Sequence, residues 1–165
     1  MEGDLRFLRL VLTMKTWELI SIICSALVAG MFYGPWTALS RSMRTLTPEV
    51  FLAVVDRMNR NMAPVMTVLM PAALLAMVPV LLSAYGTYPR VFALYATAFV
   101  CFLVAMAITV FVEVPIVKEI VTWTIPTLPT NWQQLRDRWM RFHVIRVVAG
   151  LASLILMAIA VIFNG

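Results

Sequence analysis

Four long apolar runs, at about residues 19–39, 62–82, 91–112 and 142–163, constrain this chain more than any other feature of it. Each is close to the roughly 20 residues that a helix needs to cross a bilayer core. A soluble domain of 165 residues has no use for four of them. Backbone groups in lipid must bond within their own segment, and none of the runs shows the alternation of barrel strands, so all four are expected to be helices. The connection at residues 83–90, with Gly86 and Pro89, is short enough to force the second and third runs into an antiparallel hairpin. The expected fold is all-α: one integral membrane domain over residues 1–165, built as a four-helix up-down bundle.

Charge sets the environment and the orientation. Hydrophobic residues make up 62% of the chain and charged ones 13%, with a net charge of +5. A basic chain can bind nucleic acid, but here the cations flank apolar runs, so membrane lipids with anionic headgroups are the expected partner and nucleic acid is not. Arg41, Arg44, Arg57, Arg60, Lys118, Arg136, Arg138, Arg141 and Arg146 fall on the side of the first and third loops. Only Arg6, Arg9, Lys15 and Arg90 fall on the other. The first side is therefore expected to be cytoplasmic, in a multi-pass protein of a bacterial cytoplasmic membrane. Leu27-Val28-Ala29 resembles a weak signal-peptide cleavage site, but the apolar run continues past it to Leu39, which reads as an uncleaved first span. Cys24 and Cys101 lie mid-run, where a thiol acts as a small hydrophobe.

Two helices are expected to outreach the bilayer on one side. Thr47-Pro48 reads as an N-cap with proline at the first helical position, followed by Phe51, Val54, Val55 and Met58 on one face against Asp56, Arg57 and Arg60. This amphipathic stretch either lies in the interface or continues into the second span. Thr130 to Gln133 fits a capping box, so the fourth helix is expected to start near Asn131 and run to about Phe163.

Within this frame a few residues carry chemistry. Ala26, Gly30 and Gly34 leave one flank of the first span without bulk, which suits close packing inside the monomer, with a contact between copies as the other reading. Pro64, Pro71 and Pro79 bend the second span, and Met62, Met66, Met70 and Met77 give it an adaptable face suited either to a ligand cavity or to ordinary packing. Trp132, Arg136, Trp139, His143 and Arg146 follow at steps of four, three, four and three, which stacks them on one face of the fourth helix. Trp132, Arg138 and Arg141 read as interfacial anchors, and Asp137 and Arg141 as an exposed helix pair. His143 and Arg146 lie inside the span, where facing lipid is costly and an inward role is open. Glu113, or Glu119 beyond Pro115, is placed to reach that stripe across the bundle, as a clamp or to orient a base.

The lone His and the lack of a Glu-x-x-His pair argue against a di-iron site, and a bis-His haem cannot form within one chain, so no metal and no cofactor is expected. No phosphate-cradling glycine loop or serine-hydrolase elbow is present.

Val114-Pro-Ile116, Trp123-Thr124, Leu128-Pro129, Trp132, Leu135-Arg-Asp-Arg-Trp139 and Phe142-His143 followed by Arg146 resemble the C-terminal half of the anthrone oxygenase-like family of small four-helix membrane proteins. The first half resembles it in span layout and in the Gly30 to Pro35 region, which holds Tyr33. The chain departs from the family at Val117-Lys118-Glu119, where relatives typically carry a polar Asp-Asn-Gln-like segment. The resemblance implies oxidation of a small apolar aromatic ligand without a resident metal or flavin, with His143 as the base and Trp139 as its aromatic neighbour. Arg146 and Lys118 would then stabilise developing negative charge, with Trp123, Glu113 and Tyr33 as further substrate-binding candidates. The competing reading is a noncatalytic membrane protein binding lipid through the same stripe, with a homo-oligomer or a partner subunit left open.

Overall fold

The computed structural model describes the backbone of residues 2–40, 42–86 and 88–163, and within them the side chains from Val11 onward. Arg41 and the side chains of Arg6 and Arg9 lie outside the described residues. The described residues form helices and turns: α1 (Glu2–Leu39), α2 (Pro48–Ala84), α3 (Pro89–Ile108), a π-turn (Thr109–Glu113), α4 (Val114–Ile120), a 3-10 turn (Ile125–Thr127) and α5 (Trp132–Phe163). The stretches Val11–Leu39, Pro48–Ala84, Pro89–Ile120 and Trp132–Phe163 are long and apolar enough to cross a membrane. The protein is thus an all-helical, four-helix bundle of the multi-pass integral membrane kind.

The expected extensions are present. Thr47 sits in extended backbone before Pro48, and the amphipathic stretch continues into the second span as one helix. α5 begins at Trp132, and its 32 residues span about 48 Å. The Phe51 and Trp132 rings meet at 5.1 Å, so both extensions emerge on the same side. α1 adds a third extension, reaching back to Glu2, and the third span runs through the π-turn to Ile120. A capping box forms at Thr124 and Thr127 rather than at Thr130: the Thr127 hydroxyl accepts from the Thr124 backbone N–H at 2.9 Å.

Two cores hold the bundle. The larger joins Val28 and Phe32 of α1, Met70, Ala73, Met77 and Val80 of α2, Tyr95, Ala98 and Phe102 of α3, and Val147 and Met157 of α5. Ser153 Oγ donates to the Ala98 carbonyl at 2.8 Å and ties α5 to α3. The smaller core fills the extended side with Met43, Phe51, Val55, Ile116, Ile120, Trp132 and Trp139. Trp132 is therefore buried rather than an interfacial anchor, with Arg136 stacked over its indole at 5.1 Å. Asp137 pairs with Arg136 at 3.1 Å and lies 3.6 Å from Arg44, not with Arg141.

The small flank of α1 is also placed differently from its expected monomer packing. A Cβ built on Gly30 or Gly34 meets nothing within 4 Å, and Ala26 is exposed. The inward face of α1 is instead the stripe Glu18, Ser21, Ser25, Val28 and Phe32, spaced by threes and fours.

Candidate functional site

The site lies where the third span changes its winding. Pro115 has no N–H to donate, and its ring crowds the preceding turn, so the α-helical ladder cannot run unbroken through it. Just upstream the chain takes a π-turn, closed by the Val114 N–H donating to the Thr109 carbonyl five residues back. π-turns insert one extra residue per turn and change which side chains face inward. Here the turn carries Glu113 to a buried position, 4% exposed, inside an apolar bundle.

A buried carboxylate needs cations and donors around it. Arg146, on the inner face of α5, supplies them: its Nη1 lies 2.6 Å from Glu113 Oε2. The same nitrogen donates to Thr109 Oγ1 at 3.3 Å, and the guanidinium sits over the Phe32 ring at 4.3 Å. Gly150 makes that stacking fit, because a Cβ there would come within 3.1 Å of the Phe32 ring.

His143 completes the group one turn before Arg146. Arg146 Nη2 lies 2.8 Å from His143 Nδ1. A guanidinium has no acceptor, so the arginine donates, Nδ1 accepts, and the imidazole proton sits on Nε2. The same Nδ1 is 3.3 Å from Glu113 Oε1, which has no hydrogen bond of its own. Moving the proton to Nδ1 would turn that contact into a hydrogen bond and leave Nε2 as an acceptor. His143 Nε2, Trp139 Nε1 and Arg146 Nε are buried without a partner among the described residues. The Trp139 ring lies 6.2 Å from that of His143 at 50°.

These side chains line a cavity of about 640 Å³ between α2 and the π-turn. That is the size of a small-molecule site. Met58, Met62, Met66 and Met70 of α2 form one wall and Met106, Val110, Val114 and Val117 the opposite one, with Phe32, Pro35, Trp139, His143 and Arg146 behind. The methionine face of α2 is thus a cavity wall for three of its four members, Met77 being in the larger core. Apolar, polarizable walls around one compact polar group give the cavity a mainly apolar lining with a single polar end.

Of the residues singled out from the sequence, Glu113, Lys118, Trp139, His143 and Arg146 come together on this cavity. Lys118 is exposed at its edge rather than among the buried polar atoms. Two others stand apart. Trp123 packs on the smaller core, because the chain turns away after Ile120. Tyr33 faces outward, 44% exposed with its ring 5.6 Å from that of Trp36, since one helical step of about 100° separates it from the inward Phe32. Phe32 and Thr109 were not among the expected site residues. The α1 stripe ending at Phe32 was a readable signal for the first, and nothing in the apolar run marked the second. Among the described residues, no three of His, Cys, Asp and Glu gather to hold a metal ion.

A family model described as anthrone oxygenase matches residues 51–156, more than half of the chain, including most of α2, the π-turn and the site-bearing part of α5. No curated protein and no solved structure matches the chain.

Proposed function

The chain belongs to the anthrone oxygenase family, and from that premise we propose that the cavity binds a small apolar aromatic ketone and that His143 starts its oxidation by dioxygen. The observation that carries this reading is the buried Glu113, His143 and Arg146 group at the end of an otherwise apolar cavity.

The benzylic CH₂ of an anthrone is acidic because its anion spreads onto the ring ketone. An imidazole is suited to take that proton near neutral pH. For Nε2 to accept it, the ring's own proton moves to Nδ1, where Glu113 Oε1 receives it at 3.3 Å, and Arg146 shifts off Nδ1 while keeping Glu113 Oε2. Glu113 then stabilises the imidazolium, and Arg146 keeps the carboxylate from standing unpaired in an apolar interior. The carbanion gives its electrons to dioxygen, a C–O bond forms, and the His143 imidazolium returns its proton to the outer peroxide oxygen. Loss of water across the resulting O–O bond leaves a ketone, so one oxygen atom enters the product and the other leaves as water. Trp139 and the methionine wall hold the flat body of the substrate.

One observation favours a second reading. With Arg146 donating to Nδ1 at 2.8 Å, His143 Nε2–H and Trp139 Nε1–H are both donors, fit to hold a ligand oxygen without chemistry. His143→Gln separates the two, because glutamine keeps a donor but cannot serve as a base. Under the oxygenase reading, reconstituted wild type consumes oxygen with anthrone, and His143→Gln lowers the rate about 10²-fold or more with binding kept. Unchanged turnover in His143→Gln rules out the base. Binding without oxygen uptake by wild type supports the noncatalytic reading.

A further inference from the structure

We propose that the cavity opens sideways into the hydrocarbon layer, between α2 and the π-turn, and that its ligand is an uncharged apolar molecule dissolved in the bilayer. This rests on the cavity being a ligand site, as read above, and not on any oxidation there.

α2 and α3 share the larger core from their short connection as far as Met70 and Ala105. Next to their short connection, Val80, Ala84, Val91 and Tyr95 are all buried in the larger core. Toward the other end the two helices part, and residues that line the cavity lose their cover. Ala63 and Thr67 on α2 are exposed, and across from them Val110 and Val114 are 47% and 41% exposed. The parting has local causes. Pro64 and Pro71 each remove a helical hydrogen bond from α2 beside this gap, and the π-turn adds a residue to the third span opposite.

The chemistry of the rim says what crosses it. Ala63, Thr67 and Val110 carry no charge and lie within apolar runs, where their exposed surface faces lipid tails rather than water, while the polar lining residues Asn59 and Lys118 sit at the edge toward the extended side. Toward the extended side the smaller core closes part of the wall, with Lys118 exposed beside it. Val55 and Trp139 are both cavity wall and members of the smaller core, and Phe51 and Ile120 behind them are 0% exposed. A molecule already dissolved in the bilayer reaches His143 by sliding in sideways. A charged one would have to shed its hydration to follow.

Thiol labelling in reconstituted vesicles tests this. In a Cys24→Ala, Cys101→Ala background, Met66→Cys places a thiol on the cavity wall. Val68→Cys places one on the outer face of α2, where Val68 is 71% exposed and off the cavity. The lipid-soluble N-(1-pyrenyl)maleimide should label both thiols, and the charged methanethiosulfonate ethyltrimethylammonium neither. Adding Ala63→Phe or Val110→Phe should slow pyrenyl labelling of the Met66→Cys thiol by about tenfold or more, a barrier increase of about 1.4 kcal/mol. Labelling of the Val68→Cys thiol should not change. Labelling of the Met66→Cys thiol by the charged reagent as fast as by the pyrenyl one, or indifference to both phenylalanine plugs, would overturn the lateral route. Neither result depends on oxygen uptake, so the route and the oxygenase reading can fail separately.

Discussion

At the scale of single residues, the Glu113 and Arg146 pair places two opposite charges inside the bundle. Both side chains are nearly buried, at 5% and 11% exposure, and the contact is 2.6 Å. Breaking such a pair leaves one charge uncompensated in an apolar interior and costs about 3–5 kcal/mol, whereas replacing both partners by apolar groups is often close to neutral. Glu113→Leu and Arg146→Met should therefore each destabilise strongly, and the double variant should recover most of the loss, as read by thermal unfolding in detergent. A loss in the double variant equal to the sum of the two single losses would show that the two residues do not act on each other. The partnership was only partly legible in the sequence. A carboxylate after the third span and a cation inside the fourth raise the prospect of a pair, but Pro115 and the π-turn decide which carboxylate turns inward. Glu119 stays exposed while Glu113 is buried. Tyr33 was misplaced by one residue for a similar reason: the inward stripe of α1 passes through Phe32, and a helix turns by about 100° per residue.

At the scale of elements, the apolar runs were readable because the bilayer sets their length and hydropathy, and the start of α5 at Trp132 falls one residue from its expected position. What they touch was less readable. Trp132 and Arg136 share the membrane-facing composition of an interfacial belt, yet the extended ends of α2 and α5 fold onto each other and bury both. Helices that outreach the bilayer must cover each other's apolar faces, and composition alone does not choose between that and lipid. Between α3 and α5, the Ser153 to Ala98 hydrogen bond should contribute about 1 kcal/mol, so Ser153→Ala should lower the melting temperature by about 2–4 °C. No shift would mean that packing alone sets this helix pair. Phe32→Ala should cost more, about 3–5 kcal/mol, because it empties a fully buried ring position beneath Arg146.

At the scale of the whole molecule, one end of the bundle is polar, basic and capped by a second core, and the cavity lies just inside it. Arg146 and Arg136 are drawn into buried contacts, but Arg44, Arg57, Arg60, Lys118, Arg138 and Arg141 still leave this end the more basic. By the positive-inside tendency this end is predicted to be cytoplasmic. A cysteine at exposed Gln134 should be labelled by impermeant reagents only after the membrane is opened, and labelling in intact cells would reverse the orientation. The central claim is that His143 takes a proton from a bound substrate carbon, and the most direct test removes oxygen and watches that proton alone. Under argon in D₂O, reconstituted wild type should exchange the benzylic hydrogens of anthrone for deuterium faster than empty vesicles do, and His143→Ala should fall to the vesicle background. Exchange by wild type at the background rate, or full exchange by His143→Ala, would contradict the account.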